Sequence, residues 1–271
     1  MRSWTIDEPT VLDLDEVTEL EVRLVAGTVA VLATDDRPSV VVTEHRGRPL
    51  QVSHENGTLT ISYEALSWDG LLGFLKPKHD AVAVTITVPA DCPIQLGVLS
   101  ASAIVSGLSV GASVKGLSGD ITLDGVTGDV TAETMSGEIA ACDIDGAIRF
   151  KSMSGGLTLA GGKLSSLEAN SMSGQVTADV TLAAAGSMQI GTMSGDVTVR
   201  LPADSDAQVR LQSSSGAVRS EFESLRTVRA PASHATSGNV GAGNGRVSVT
   251  TKSGAITLLR RAPVEMESKT R

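Results

Sequence analysis

The sequence predicts an all-β chain wound as a β-helix, or β-solenoid, of about 18–21 residues per coil, and three observations carry that prediction. Glycine returns every nine residues, at Gly119, Gly128, Gly137, Gly146 and Gly155. Positions two, four and seven after each glycine form columns: Ile121, Val130, Ile139, Ile148, Leu157; then Leu123, Ala132, Ala141, Phe150, Leu159; then Val126, Met135, Ile144, Met153, Gly162. Fourteen of these fifteen residues are apolar. Only six aromatic residues (Trp4, Tyr63, Trp68, Phe74, Phe150, Phe222) occur in 271. That is a poor supply for a conventional globular core, but a narrow solenoid packs aliphatic side chains.

Within each unit, the first two columns are separated by one residue, usually polar, which is the pattern of a strand burying one face. The third column follows a corner and is expected to point inward. Glycine suits the bend because it tolerates positive φ and close backbone approach, and the Ser or Thr before it can bond the local backbone. Two nine-residue units then make one coil, paired with the next at about 4.8 Å. Met135, Met153, Met172 and Met193 fall in one column on this reading and are expected to form a buried sulfur ladder. After Gly155 the period loosens, with Ser-Gly pairs at 173–174, 194–195, 215–216, 237–238 and 253–254, spaced 16 to 22 residues apart. A lone coil cannot offset the entropy of ordering its backbone, so the coils must stack and the ends need caps.

Residues 1–261 are expected to form one continuous domain: 1–98 as N-terminal strands and a β cap, 99–261 as repeat coils, with 262–271 a disordered tail. Glu21–Val31, Ser39–Thr43 and Thr58–Tyr63 alternate like strands, and Ala26-Gly27-Thr28-Val29 is a degenerate repeat. A short insertion, 65–80 (ALSWDGLLGFLKPKHD), interrupts the pattern. Its Trp68, Leu71, Leu72, Phe74 and Leu75 are the candidate interaction residues, either plugging the rod or forming a knob for a partner or membrane surface.

The net charge of −9 is uneven: residues 1–115 and 116–199 each carry −7, and 200–271 carry +5. Such polarity allows head-to-tail association into a filament, the alternative to a scaffold. An acidic chain without aromatic interleaving among its basic residues is not expected to bind nucleic acid. The N-terminal residues show no apolar leader segment and no 18-residue apolar run occurs, so a cytoplasmic location is expected, with no transmembrane segment. Cys92 and Cys142 read as reduced thiols.

Calcium β-rolls also use nonapeptides, but they need more glycines and acids further along than Asp120, Asp129, Glu138 and Asp196 supply. The four histidines are scattered, and none lies between residues 80 and 233. Neither zinc nor a Ser-His pair is therefore expected. Gly241–Gly245 precedes a strand and reads as a turn, not a phosphate loop. No cofactor, metal or catalytic residue is expected, and a polysaccharide-acting enzyme is the weaker alternative.

The opening Trp4-Thr5-Ile6-Asp7-Glu8-Pro9, the stretch Leu99-Ser100-Ala101-Ser102-Ala103, the iterated Met-Ser-Gly units and the closing Ser253–Arg261 segment resemble a known group. It is the adhesin-type β-strand-repeat family called domain of unknown function 4097, in its actinobacterial branch. The resemblance spans residues 4–261. It implies a right-handed, single-stranded β-helix, no established catalytic residues, and a link to cell-envelope stress in some relatives. The expected role is a non-enzymatic scaffold that binds a protein partner or itself.

Overall fold

Alternating apolar and polar residues become strands along the whole chain. The computed structural model describes residues 2–63, 80–230 and 233–262; it holds 22 strands in one hydrogen-bonded sheet and, among the described residues, no helix. The central strands are β8 (Ile94–Ser106), β9 (Ala112–Gly116), β10 (Ile121–Asp124), β11 (Val130–Thr134), β12 (Ile139–Cys142) and β13 (Gly146–Ser152). β9 to β12 each pair in parallel with the strand two further on, Ile121 facing Ile139 and Val130 facing Ile148. That offset is one coil of 18 residues, and β13 pairs with the second half of the long β14 (Leu157–Ser171). The chain thus alternates between two columns of stacked strands. β14 and β15 (Val176–Thr192) each run through a corner and serve both columns. Their registers, Leu157 on Val176 and Leu167 on Met188, lengthen the coil to 19 and then 21 residues.

The first two apolar columns of the repeat are buried throughout, Phe150 included. The third divides: Val126 and Ile144 are buried, Met135 and Met153 are exposed, and Gly162 takes a φ of +79°.

Both ends depart from sequence order. At the N-terminal end β3 (Glu19–Ala33) lies parallel to β8, and Gly27, with φ +107°, turns it from one column into the other. On its far side β3 pairs in parallel with β6 (Thr58–Tyr63) and β7 (Ala81–Val88). Antiparallel strands then take over. β5 (Leu50–Glu55) and β1 (Arg2–Ile6) follow β6, while β4 (Ser39–Arg46) and β2 (Thr10–Asp13) follow β7.

At the C-terminal end β16 (Val197–Pro202) continues the stack, and the next rung in space is the last in sequence. β21 (Gly245–Thr251) pairs with β15 and β22 (Ile256–Arg261) with β16. The earlier β17 (Ala207–Ser213) and β18 (Val218–Ser220) lie outside them. β20 (Ser233–Val240) and β19 (Arg226–Ala230) close that column antiparallel. Ser237-Gly238, expected as a repeat unit, therefore belongs to a closing antiparallel strand: a Ser-Gly pair alone does not specify a stacked corner. The Gly241–Gly245 turn hangs on Asp206, which accepts from the Asn244 backbone N–H at 3.1 Å.

Asp179 ties three rungs together. From β15 it pairs with Arg200 of β16 and, at 2.9 Å, with Arg261 of β22, whose other terminal nitrogen reaches the Thr181 hydroxyl at 2.9 Å. The Arg200 hydrogen bond, helped by both positive charges against a smaller desolvation effect, holds the Asp179 carboxyl below its ordinary value of 3.8. Its contribution to stability is therefore present above pH 3.8 and lost as the pH falls through the lower folded-state value. The two cysteines are free, Cys142 exposed and Cys92 buried. Burial, followed by nearby Asp91 and Glu19, pushes the Cys92 thiol up to about 11.

Replacing Asp179 with Asn should flatten the acid limb of the stability curve. The wild type should be the more stable above pH 3.8, with the difference shrinking below that point, as read by urea midpoints across pH. A difference that stays constant through the acid range would contradict the assignment.

Candidate interaction surface

The corner between the two columns is built from four residues, and each has a fixed task. Thr134-Met135-Ser136-Gly137 recurs as Ser152–Gly155, Ser171–Gly174 and Thr192–Gly195, then as Ser213–Gly216 and Thr251–Gly254. The first residue turns its hydroxyl inward. The backbone N–H of Gly137 donates to the Thr134 hydroxyl at 3.0 Å, that of Gly155 to Ser152 at 2.7 Å and that of Gly174 to Ser171 at 2.8 Å. The fourth residue, glycine, stacks on the glycine of the previous rung. A Cβ on Gly155 would fall on the Gly137 carbonyl oxygen, and one on Gly174 on that of Gly155. The column continues through Gly195, Gly254 and Gly216 in that order, retracing the inverted order of the C-terminal rungs.

The third residue points outward and binds downward. Ser154 donates from its backbone N–H (2.9 Å) and from its hydroxyl (3.3 Å) to the same carbonyl, that of Met135 on the previous rung. Ser118, Ser136, Ser173 and Ser194 do the same to Leu99, Leu117, Met153 and Met172, with hydroxyl distances of 3.2–3.4 Å. A serine ladder thus fixes the height of the second corner residue on every rung.

That second residue faces water. Met135, Met153, Met172 and Met193 are 48–52% exposed and Leu117 39%; Leu99 above them is half-buried. The expected buried sulfur ladder is therefore corrected to an exposed apolar ridge. The chain leaves period-two alternation at the corner, so the buried position passes to the hydroxyl residue before each methionine. The ridge ends at Lys252 and Ser214, which occupy the same slot on the last two rungs. On one flank stand Lys115, Glu133 and Lys151, with Lys115 and Glu133 paired at 3.3 Å. On the other stand Asp120, Glu138 and Asp196; Asp120 accepts from the Glu138 backbone at 3.0 Å and Asp196 from that of Ala255 at 2.7 Å.

Trp68, Leu71, Leu72, Phe74 and Leu75 lie outside the described residues. The chain leaves the described structure at Tyr63 and re-enters at Asp80, which is buried. Arg48 grips Asp80 with its backbone N–H (2.9 Å), Nε (2.8 Å) and a terminal nitrogen (2.6 Å), and its guanidinium lies 5.7 Å from the Tyr63 ring centre. Burial, reinforced by Asp80 and opposed by Arg48, pushes the Tyr63 hydroxyl up to about 12. Among the described residues no group of three His, Cys, Asp or Glu is placed to hold a metal ion, and no helix is long and apolar enough to cross a membrane.

The chain belongs to the Toastrack family, DUF4097, whose match covers residues 17–259. No curated protein matches it. Similar solved structures include a "putative adhesin" from Bacteroides fragilis, at 14% identity and TM-score 0.43 over 96% of this chain and 97% of that one. A "putative adhesin" from Parabacteroides distasonis follows at 10% identity and TM-score 0.37, over 94% and 97% of the two chains. A "putative lipid binding protein" from the same species shows 13% identity and TM-score 0.36, over 93% and 97%.

Two measurements check the corner. Gly155→Ala should cost about 3 kcal/mol, the upper end for a forced backbone shift, since backbone must move to admit the methyl group. Gly125→Ala, at φ +60° with nothing within 4 Å of its would-be Cβ, should cost only about 1–2 kcal/mol of left-handed strain. Equal losses in thermal unfolding would refute the stacking argument. Met153→Ser should change stability by no more than about 0.5 kcal/mol, as for an exposed site, whereas Thr134→Val, stranding the Gly137 N–H, should cost about 1–3 kcal/mol.

Proposed function

We propose that this Toastrack chain is a non-enzymatic β-helical scaffold, right-handed in its winding and cytoplasmic, that presents the corner ridge to a protein partner. One observation carries the reading: the fold does not need the ridge to be apolar. Lys252 and Ser214 fill the same slot and keep the serine bonds to their neighbours, with Ser215 donating to the Lys252 carbonyl at 3.2 Å. Six successive Leu and Met side chains, five exposed and Leu99 half-buried, are therefore an addition to the frame, and a contiguous apolar row open to water marks a contact surface. The ridge serines serve that surface, because each hydroxyl is engaged with a main-chain carbonyl instead of standing free as a nucleophile.

The end rungs favour a scaffold over an end-to-end filament. β1, β2, β19 and β20 are antiparallel closures, and β18 is only three residues long, the usual means of blunting a sheet edge. The family resemblance supports a setting in cell-envelope stress.

The double variant Met135→Glu/Met153→Glu tests the reading. Circular dichroism and melting temperature should match the wild type, while recovery of protein partners from lysate of the native host should fall at least about tenfold. Recovery of the same proteins in the same amounts would overturn it.

A further inference from the structure

We infer that the occupant of the ridge is a second copy of this chain, the two rods lying side by side and parallel about a two-fold axis along their length. This inference rests on the reading of the ridge as a contact surface and names its partner. The first argument is periodicity. Leu99, Leu117, Met135, Met153, Met172 and Met193 stand on successive rungs, about 4.8 Å apart, and the serine ladder, Ser253 on Met193 included, holds each at its height. A surface that meets every one of them must share that spacing, and another copy's ridge does so by construction. Methionine, unbranched and adaptable, can fill the irregular gaps of such a seam.

The second argument is charge. One flank carries Lys115, Glu133 and Lys151, net +1 with Lys115 paired to Glu133, and the opposite flank carries Asp120, Glu138 and Asp196, net −3. Lys151 forms no ion pair among the described residues, and neither do these three acids. A two-fold axis along the rod sets the basic flank of each copy against the acidic flank of the other. An axis across the rod would set like flanks together, so the charges select the parallel arrangement. They also disfavour an anionic lipid surface, because a chain of net charge −9 would carry the acidic flank to it.

The third argument is size. Six rungs at about 4.8 Å make a seam of about 24 Å, short enough to place the contact at the low end for a specific interface. The expected result is a reversible dimer with dissociation in the micromolar range, not an obligate one.

Sedimentation velocity from about 1 to 200 μM should show a monomer–dimer equilibrium in the wild type, and only monomer in Met153→Glu. Geometry is read by cross-linking in a Cys142→Ser background, in which the buried Cys92 is spectator. There Met135→Cys, Met153→Cys and Met172→Cys should each oxidise to a dimer with its own copy. Cross-linking only between different positions would overturn the parallel two-fold. A wild type that stays monomeric at the highest concentration would overturn the pairing itself. If Met135→Glu/Met153→Glu still loses host partners in that case, the scaffold reading stands without this one. Ridge-dependent flotation of monomer with phosphatidylcholine–phosphatidylglycerol vesicles would overturn pairing in favour of a membrane.

Discussion

The close stacking of glycine on glycine at one corner is the constraint from which the remaining architecture follows. Because a Cβ on Gly155 would meet the Gly137 carbonyl, and one on Gly174 that of Gly155, neighbouring rungs can approach there in only one register. A slip of one residue would bring a side chain into the column and turn every inward side chain outward. The inward hydroxyl three residues earlier reinforces the register by satisfying the glycine N–H where a corner would otherwise strand it. With the corner fixed, Ile121, Ile139 and Leu157 coincide in one buried column and Val130 and Ile148 in the other.

A stack so defined has a difficulty at its ends, where a rung presents unpaired backbone. This chain meets it twice by abandoning sequence order. At the start, β3 is threaded into the parallel stack while the strands on either side of it in sequence fold back as antiparallel cover. At the finish, β17 and β18 are laid down outside and β21 and β22 return to fill the gap beneath them. The closing coil is thereby held on both sides, and Asp179 reaches across from β15 to Arg261 within it. Pairings between residues this far apart in sequence raise the share of non-local contacts at the C-terminal end, where loop-closure entropy must be met before the contacts repay it.

Much of this was legible beforehand. Nine-residue glycine spacing gave the coil length, and period-two alternation gave the two buried columns to the residue. The inverted order of the C-terminal rungs was not legible, because similarity between units says which segments can stack but not in what order. Met135, Met153, Met172 and Met193 mislead a sequence reading for a different reason. Apolar residues are usually inward, yet a corner interrupts alternation, and the inward slot there belongs to a hydroxyl that must bond a main-chain N–H. The signal was present: Thr134, Ser152, Ser171, Thr192, Ser213 and Thr251 all stand three residues before a glycine. A residue type held so constantly at one offset marks a hydrogen-bond requirement, even where composition alone would place it in solvent. The interaction residues expected between 65 and 80 lie outside the described structure, while the ridge was hidden in the most regular part of the sequence.

The same ladder separates what the frame requires from what has been placed upon it. Serine after the ridge position fulfils a main-chain demand, and it persists as Ser215 and Ser253 where the ridge residue is Ser214 or Lys252. Glycine persists with it. From Thr134 onward the other three corner residues keep their character and the ridge residue alone changes; it is apolar on six consecutive rungs, Leu99 to Met193, and polar on the two that follow. Main-chain carbonyls bind equally well behind either kind of side chain, so neither the corner nor the core accounts for the six. Exposed apolar surface works against solubility in a protein that is otherwise charged and acidic. A row that the fold does not demand, and that solubility disfavours, finds its physical reason in something that covers it.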